Sequence, residues 1–192
     1  LSVAFHRDRF TEPQWKPNGV SPASSTTIKV PIADDYRRLE VEKNLQEWLK
    51  SPVSLLFFKN IRRITIGGED MHWGDLGPGP IQNSTWLALF DDEENSHLLV
   101  RSAPEAFPEE ALREIRQERM LGDESQDDFP PCTVEIVLGA EGRLFVVLPT
   151  GVRTELPFAC NAPFVQDPAR LKIKDPETSP TNRWLLGRIG AL

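Results

Sequence analysis

Residues 142–173 read GRLFVVLPTGVRTELPFACNAPFVQDPARLKI. The segment Arg143–Leu148 is apolar and branched, so it predicts a strand that ends in Leu148-Pro149-Thr150. A short polar turn follows. Then come Leu156-Pro157-Phe158, a small-residue segment, Asn161-Ala162-Pro163-Phe164 and an arginine at position 170. Pro149, Pro157 and Pro163 each fix φ and reduce the entropy of the unfolded chain, which stiffens what reads as a long loop.

Outward from this block, Thr133–Leu138 predicts a second strand, joined to the first by a glycine-containing turn at 139–142. A helix is expected from about Thr181 to Arg188. Before the block, the acidic stretch 121–131 ends in Pro130-Pro131 and reads as a solvated linker. Pro108 suits position N1 of a helix with Ala111, Ile115 and Met120 as its apolar stripe. Ser84–Phe90 and His97–Ser102 predict a hairpin across the acidic turn 91–95. Arg62–Ile66 is a strand closed by Gly67-Gly68, and 69–82 reads as a Pro/Gly loop. Asp34 and Asp35 occupy the N-cap and first turn of a helix that stops before Pro52 and carries Tyr36, Leu39, Leu45, Trp48 and Leu49 on one face. Residues 1–10 alternate as a strand, 11–25 read as a loop, and Thr26–Ile32 as another strand. The order of elements is α+β, with mixed or antiparallel sheets and a few helices.

The 192 residues carry 29 acidic and 22 Lys or Arg side chains, a net charge of −7. That balance argues against a protein that holds nucleic acid by bulk charge. Cys132 and Cys160 each lie in apolar context, which suits buried reduced thiols, and nothing suggests a secreted disulfide framework. No apolar run approaches the roughly 20 residues of a membrane span, and no signal-peptide pattern opens the chain. The expectation is a cytoplasmic protein without a membrane partner. The chain opens on Leu1 and enters a strand-like segment at once, which leads to the expectation of a piece excised from a longer protein.

The 142–173 block resembles the segment after the nucleotide site in sacsin-like ATP-binding proteins of the GHKL superfamily (gyrase, heat-shock chaperone, histidine kinase, MutL). Leu55–Ile66 (LLFFKNIRRITI), the strand Thr85-Trp86-Leu87-Ala88 and Asn182-Arg183-Trp184-Leu185-Leu186 add to the resemblance. It implies that residues 1–32 are the last strands of an ATPase domain and that 33–192 form a βαβ transducer-type domain. It also implies that ATP and Mg are bound by the parent protein, in an upstream domain, and are not held by this chain alone. A basic loop residue, Arg170, would reach the γ-phosphate. Guanidinium suits that role because its planar fork binds phosphate oxygens in pairs and keeps its charge. Lys172 rivals Arg170 for the same contact, because Leu171-Lys172 stands where a polar or acidic residue is expected after the arginine. Asn161 would orient the loop or touch a phosphate, or else serve as a turn residue bonded to its own backbone. The implied partners are the upstream ATPase domain and a protein client or nuclease.

Asp75-Leu76-Gly77-Pro78-Gly79 matches the DxGxG signature of GHKL nucleotide sites letter for letter. No Gly-rich lid follows it, so a stiff Pro/Gly loop explains it better. The chain has no GxxxxGK[ST] phosphate loop. His6, His72 and His97 stand singly, without metal-ligand spacing. A hydrolase around His72 and Asp75 lacks any nucleophile motif. The main rival is a nucleotide-independent interaction module, chaperone-like or scaffold.

Overall fold

Gly67 and Gly68 carry φ of +59° and +96°. Such a pair forms the primed two-residue turn that suits the twist of a β-hairpin. It joins β3 (Arg63–Ile66) to β4 (Glu69–Pro78), with Ile66 opposite Glu69 and Arg63 opposite His72. The computed structural model describes residues 2–6, 9–16, 31–90, 93–121, 129–168 and 172–192.

These residues fall into two units, 1–40 and 41–192. In the first, β1 (Ser2–His6) and β2 (Arg9–Lys16) pair antiparallel, with Ser2 opposite Lys16. The loop expected at 11–25 is therefore strand as far as Lys16, and Pro13 is tolerated because a two-stranded ribbon consists only of edge strands. Of the strand expected at 26–32, residues 26–30 lie outside the described residues, and Pro31 and Ile32 belong to no strand.

Helix α1 (Asp35–Leu49) forms as expected. Asp34 accepts a hydrogen bond from the Arg37 backbone N–H at 2.8 Å, which satisfies a donor of the first turn. Its apolar residues do not form one buried stripe. At about 100° per residue, Tyr36 and Leu39 project roughly opposite Leu45 and Trp48. Tyr36 and Leu39 are exposed, whereas Trp48 and Leu49 are half-buried and pack on Leu55, Ile66 and Met71.

The second unit is built on one eight-stranded mixed sheet. Its strands are β3, β4, β5 (Ser84–Leu89), β6 (Ser96–Arg101), β7 (Glu135–Leu138), β8 (Arg143–Val146), β9 (Leu148–Arg153) and β10 (Phe158–Asn161). The spatial order is β3-β4-β5-β6-β7-β10-β8-β9. Every neighbouring pair is antiparallel except β10 with β8, which is parallel. Helices α2 (Glu109–Glu118) and α3 (Pro180–Gly190) complete the unit, which is α+β as the sequence predicts.

Three differences from expectation matter. Residues 69–78 are strand, not loop. Met71 and Trp73 alternate with polar neighbours, and pairing on both sides outweighs the weak strand preference of Gly74 and Gly77. The stretch 147–161 contains two strands where a turn and a small-residue loop were expected. Helix α2 begins one residue later than expected, with Pro108 at the N-cap, and Met120 lies beyond its end, 94% exposed.

Strand alternation gives the sheet two buried faces. Leu98, Val100, Ile136, Leu144 and Cys160 point to one face and pack with Leu185 and Ile189 of α3. Leu99, Val137, Phe145 and Ala159 point to the other, under the 3₁₀ helix Pro52–Phe57. Cys160 is 1% exposed, and burial pushes its thiol up to about 11. The thiol ionises near 9 when unfolded, so the unfolded chain loses this proton first as pH rises. The contribution is fully present below pH 9 and is lost between about 9 and 11. The melting temperature of the wild type should therefore fall over pH 9–10.5, with a shallower fall in Cys160→Ala. Equal slopes would show that the thiol is not held protonated by the fold.

Candidate functional site

The polypeptide leaves β10 at Asn161, runs through Pro163-Phe164, and turns back on itself between Val165 and Lys174. Gln166 and Ile173 form an isolated antiparallel bridge. The Lys174 N–H donates to the Val165 carbonyl at 2.8 Å, and the Asp167 N–H to the Lys172 carbonyl at 2.9 Å. The Lys172 N–H donates to Asp167 Oδ1 at 3.1 Å. Lys172 is exposed on the returning arm of this loop. Arg170 lies outside the described residues.

The base of the loop is held by α3. Ser179 caps the helix by accepting from the Asn182 N–H at 3.2 Å, with Pro180 at the first helical position. Asn182, with 0% exposure, turns its side chain to the loop. Its Oδ1 accepts from the Val165 N–H at 2.8 Å, and its Nδ2 donates to the carbonyls of Val165 and Lys174, both at 2.9 Å. Helix α2 joins the same cluster. Glu114 Oε2 accepts from Ser179 Oγ at 2.9 Å and from the Thr181 N–H at 3.0 Å. Lys174 pairs with Glu118, which raises the lysine pKa above its ordinary value.

Asn161, at the start of the segment, is buried and aimed into the sheet. It stands opposite Glu135 on β7, which in turn stands opposite Arg101 on β6. Asn161 Nδ2 donates to Glu135 Oε2 at 2.7 Å, and Arg101 Nε donates to Glu135 Oε1 at 2.8 Å. Both oxygens of a carboxylate that is 4% exposed are thereby satisfied. Asn161 Oδ1 accepts from the Val147 N–H at 2.7 Å. Val147 is the apex between β8 and β9 and has φ of +62°, an outlier for a β-branched residue. Asn161 thus orients a loop through its amide, and that loop is the β8–β9 apex 14 residues earlier.

A cleft of about 1210 Å³ opens at this end of the sheet. Phe57, Phe58, Phe107, Phe129 and Phe164 supply its apolar wall, and Glu135, Asn161 and Lys174 line it. Arg116 and Arg119 stand over the Phe129 ring at 5.9 and 5.4 Å from its centroid. Of the three residues predicted from sequence, Asn161 lines the cleft and Lys172 does not.

Asp75 sits at a bulge of β4, where its Oδ1 accepts from the Gly77 N–H at 2.8 Å. The DxGxG match is therefore a bulged strand end. His72 Nδ1 lies 3.2 Å from Asp70 Oδ2, and its ring meets Phe90 edge-on. Among the described residues no group of three or more His, Cys, Asp or Glu side chains is placed to hold a metal ion. Among the same residues no helix is long and apolar enough to cross a membrane.

Sequence reasoning missed Glu135, Arg101, Glu114 and the role of Asn182. Ser179-Pro180-Thr181-Asn182 does carry a helix-start signal, a capping serine before an N1 proline. Glu135 inside the apolar run Val134–Leu138 was a visible anomaly, because a carboxylate there needs partners. No family model matches the chain, and neither the curated proteins nor the solved structures include a match.

Proposed function

We propose that this chain is the transducer region of a sacsin-like GHKL ATP-binding protein. ATP and Mg bind in an upstream ATPase domain, and the 165–174 loop carries a basic side chain to the γ-phosphate. Arg170 is the first choice for that side chain and Lys172 the second. Only ATP presents the terminal phosphate, so closure of the loop distinguishes ATP from ADP and moves the transducer against its partner domain. The moved load is a protein client or a nuclease partner.

One observation carries this reading. Lys172 is exposed on the returning arm of the loop, whose base is gripped by hydrogen bonds from the buried Asn182 of α3 and by an ion pair to α2. A loop that must place a charge on one phosphate oxygen needs such a base, because misplacement by about 1 Å removes most of the benefit.

Calorimetry with a non-hydrolysable ATP analogue tests the reading, on this chain alone and on a protein extended upstream through the ATPase domain. Binding is expected only to the extended protein. Binding to this chain alone would overturn the reading. Binding to neither would favour the second reading, a nucleotide-independent interaction module that uses the phenylalanine-lined cleft as its contact surface.

A further inference from the structure

We propose that Asn182 is the positioning residue of the basic loop, setting where Lys172 is carried. The phosphate part of this proposal rests on the function proposed above; the positioning part rests on geometry alone. A primary amide has one oxygen acceptor and two N–H donors. Asn182 uses all of them on the two residues that flank the loop, Val165 and Lys174. None is directed to its own helix, whose first turn is capped by Ser179. A fully buried polar side chain is costly unless its groups are hydrogen-bonded, so the bonds of Asn182 fix its partners in place. What they fix here is the register of Val165 against Lys174, two residues from Lys172.

The grip continues along both described arms of the loop, as far as Asp167 and Lys172. Val165 and Lys174 are joined by a backbone hydrogen bond, Gln166 faces Ile173, and Asp167 is bonded to Lys172 through both backbone and side chain. The grip also reaches α2. Lys174 pairs with Glu118 and lies 4.0 Å from Glu114, and Glu114 holds Ser179 and Thr181 at the head of α3. Helix α2 thus meets the loop through Lys174 and meets α3 through Ser179 and Thr181, while Asn182 ties α3 to the loop. Aspartate at 182 keeps the acceptor and loses both donors. Glutamine carries the same groups one methylene further out, where a fully buried site has no room.

The test has two arms. In the 192-residue chain, amide exchange is read at Lys174 and Asp167, whose N–H groups do not bond to Asn182 itself, and at Ala159 and Cys160 in the sheet. Asn182→Ala, with Asn182→Ser as a milder variant, should speed exchange at Lys174 and Asp167 by roughly 30-fold while the sheet amides stay protected. Unchanged exchange at Lys174 and Asp167 in every folded variant would overturn the proposal.

In the protein extended upstream, ATP turnover should fall about 5-fold or more while analogue affinity is unchanged, as expected when positioning is lost and binding is not. On an Arg170→Ala/Lys172→Ala background the Asn182 variant should cause no further fall, because it acts through those residues. Additive falls would overturn the proposal. Wild-type turnover in the Arg170→Ala/Lys172→Ala protein, together with locally faster exchange in the Asn182 variants, would overturn the phosphate role and support the positioning role.

Discussion

Phe145→Ala lowers stability by about 3–5 kcal/mol, the cost of truncating a well-packed aromatic in a closed core. Phe145 heads the largest fully buried side chains, at 1% exposure. Its ring lies 5.0 Å from that of Phe57, so it joins the sheet to the 3₁₀ helix that covers this face. The surrounding cluster comprises Leu56, Leu87, Leu99, Val137 and Ala159. Four of those five sit on strands fixed by cross-strand pairing, so the cavity cannot close by a local shift. In a two-state melt the loss corresponds to a fall of roughly 8–15 °C. A loss below about 1 kcal/mol would mean that the 3₁₀ helix is not docked on Phe145.

Asn161→Ala lowers stability by about 2–4 kcal/mol, although the side chain is small and polar. The substitution removes the donor to Glu135 Oε2 and the acceptor of the Val147 N–H together. Among the described residues it leaves the buried carboxylate with Arg101 alone, and a buried polar group without its partner costs more than an ordinary hydrogen bond contributes. It also removes the acceptor that holds Val147 at φ +62°. Glycine carries no Cβ penalty in that conformation, and the Val147 side chain is 40% exposed, so little burial is lost on its removal. Val147→Gly should therefore be neutral or stabilising, and should reduce the cost of Asn161→Ala. Chemical denaturation of the four proteins of this cycle measures both effects. Simple additivity would show that Asn161 does not hold the apex.

The same residues show what could be read from the chain. Strands that are short apolar runs on either side of a polar turn, such as β5 and β6, were legible, and so was the start of α1 at Asp34. Gly67-Gly68 was read as the end of a strand, although two glycines between β-forming runs are also a hairpin signal. Pursuing that signal would have found β4, whose Met71 and Trp73 alternate with polar residues. The glycines and prolines at 77–80 drew the whole of 69–82 into a loop, but only the final residues behave so.

Strands β9 and β10 were hidden for another reason. Each is short, carries proline or small residues, and exists because of its neighbours. β10 is inserted between β7 and β8, which are consecutive in sequence, and no local pattern announces an insertion. The candidate site divides in the same way. Asn161 and Lys172 could be named from the segment that contains them. Glu135 and Arg101, which anchor Asn161, and Glu114 and Asn182, which hold the base of the loop, lie elsewhere in the chain, and only folding brings them together. Tyr36 and Leu39 show the limit of counting apolar residues, since helix geometry turns them away from Leu45 and Trp48.

The proposed sensing of the γ-phosphate by the 165–174 loop depends on a basic side chain. It is tested most directly by steady-state ATP turnover and analogue affinity of Arg170→Ala, Lys172→Ala and the double variant in the upstream-extended protein. The account predicts that turnover falls at least ~10-fold in one single variant and in the double variant, while affinity changes by no more than about 2-fold. Wild-type turnover in the double variant would contradict it.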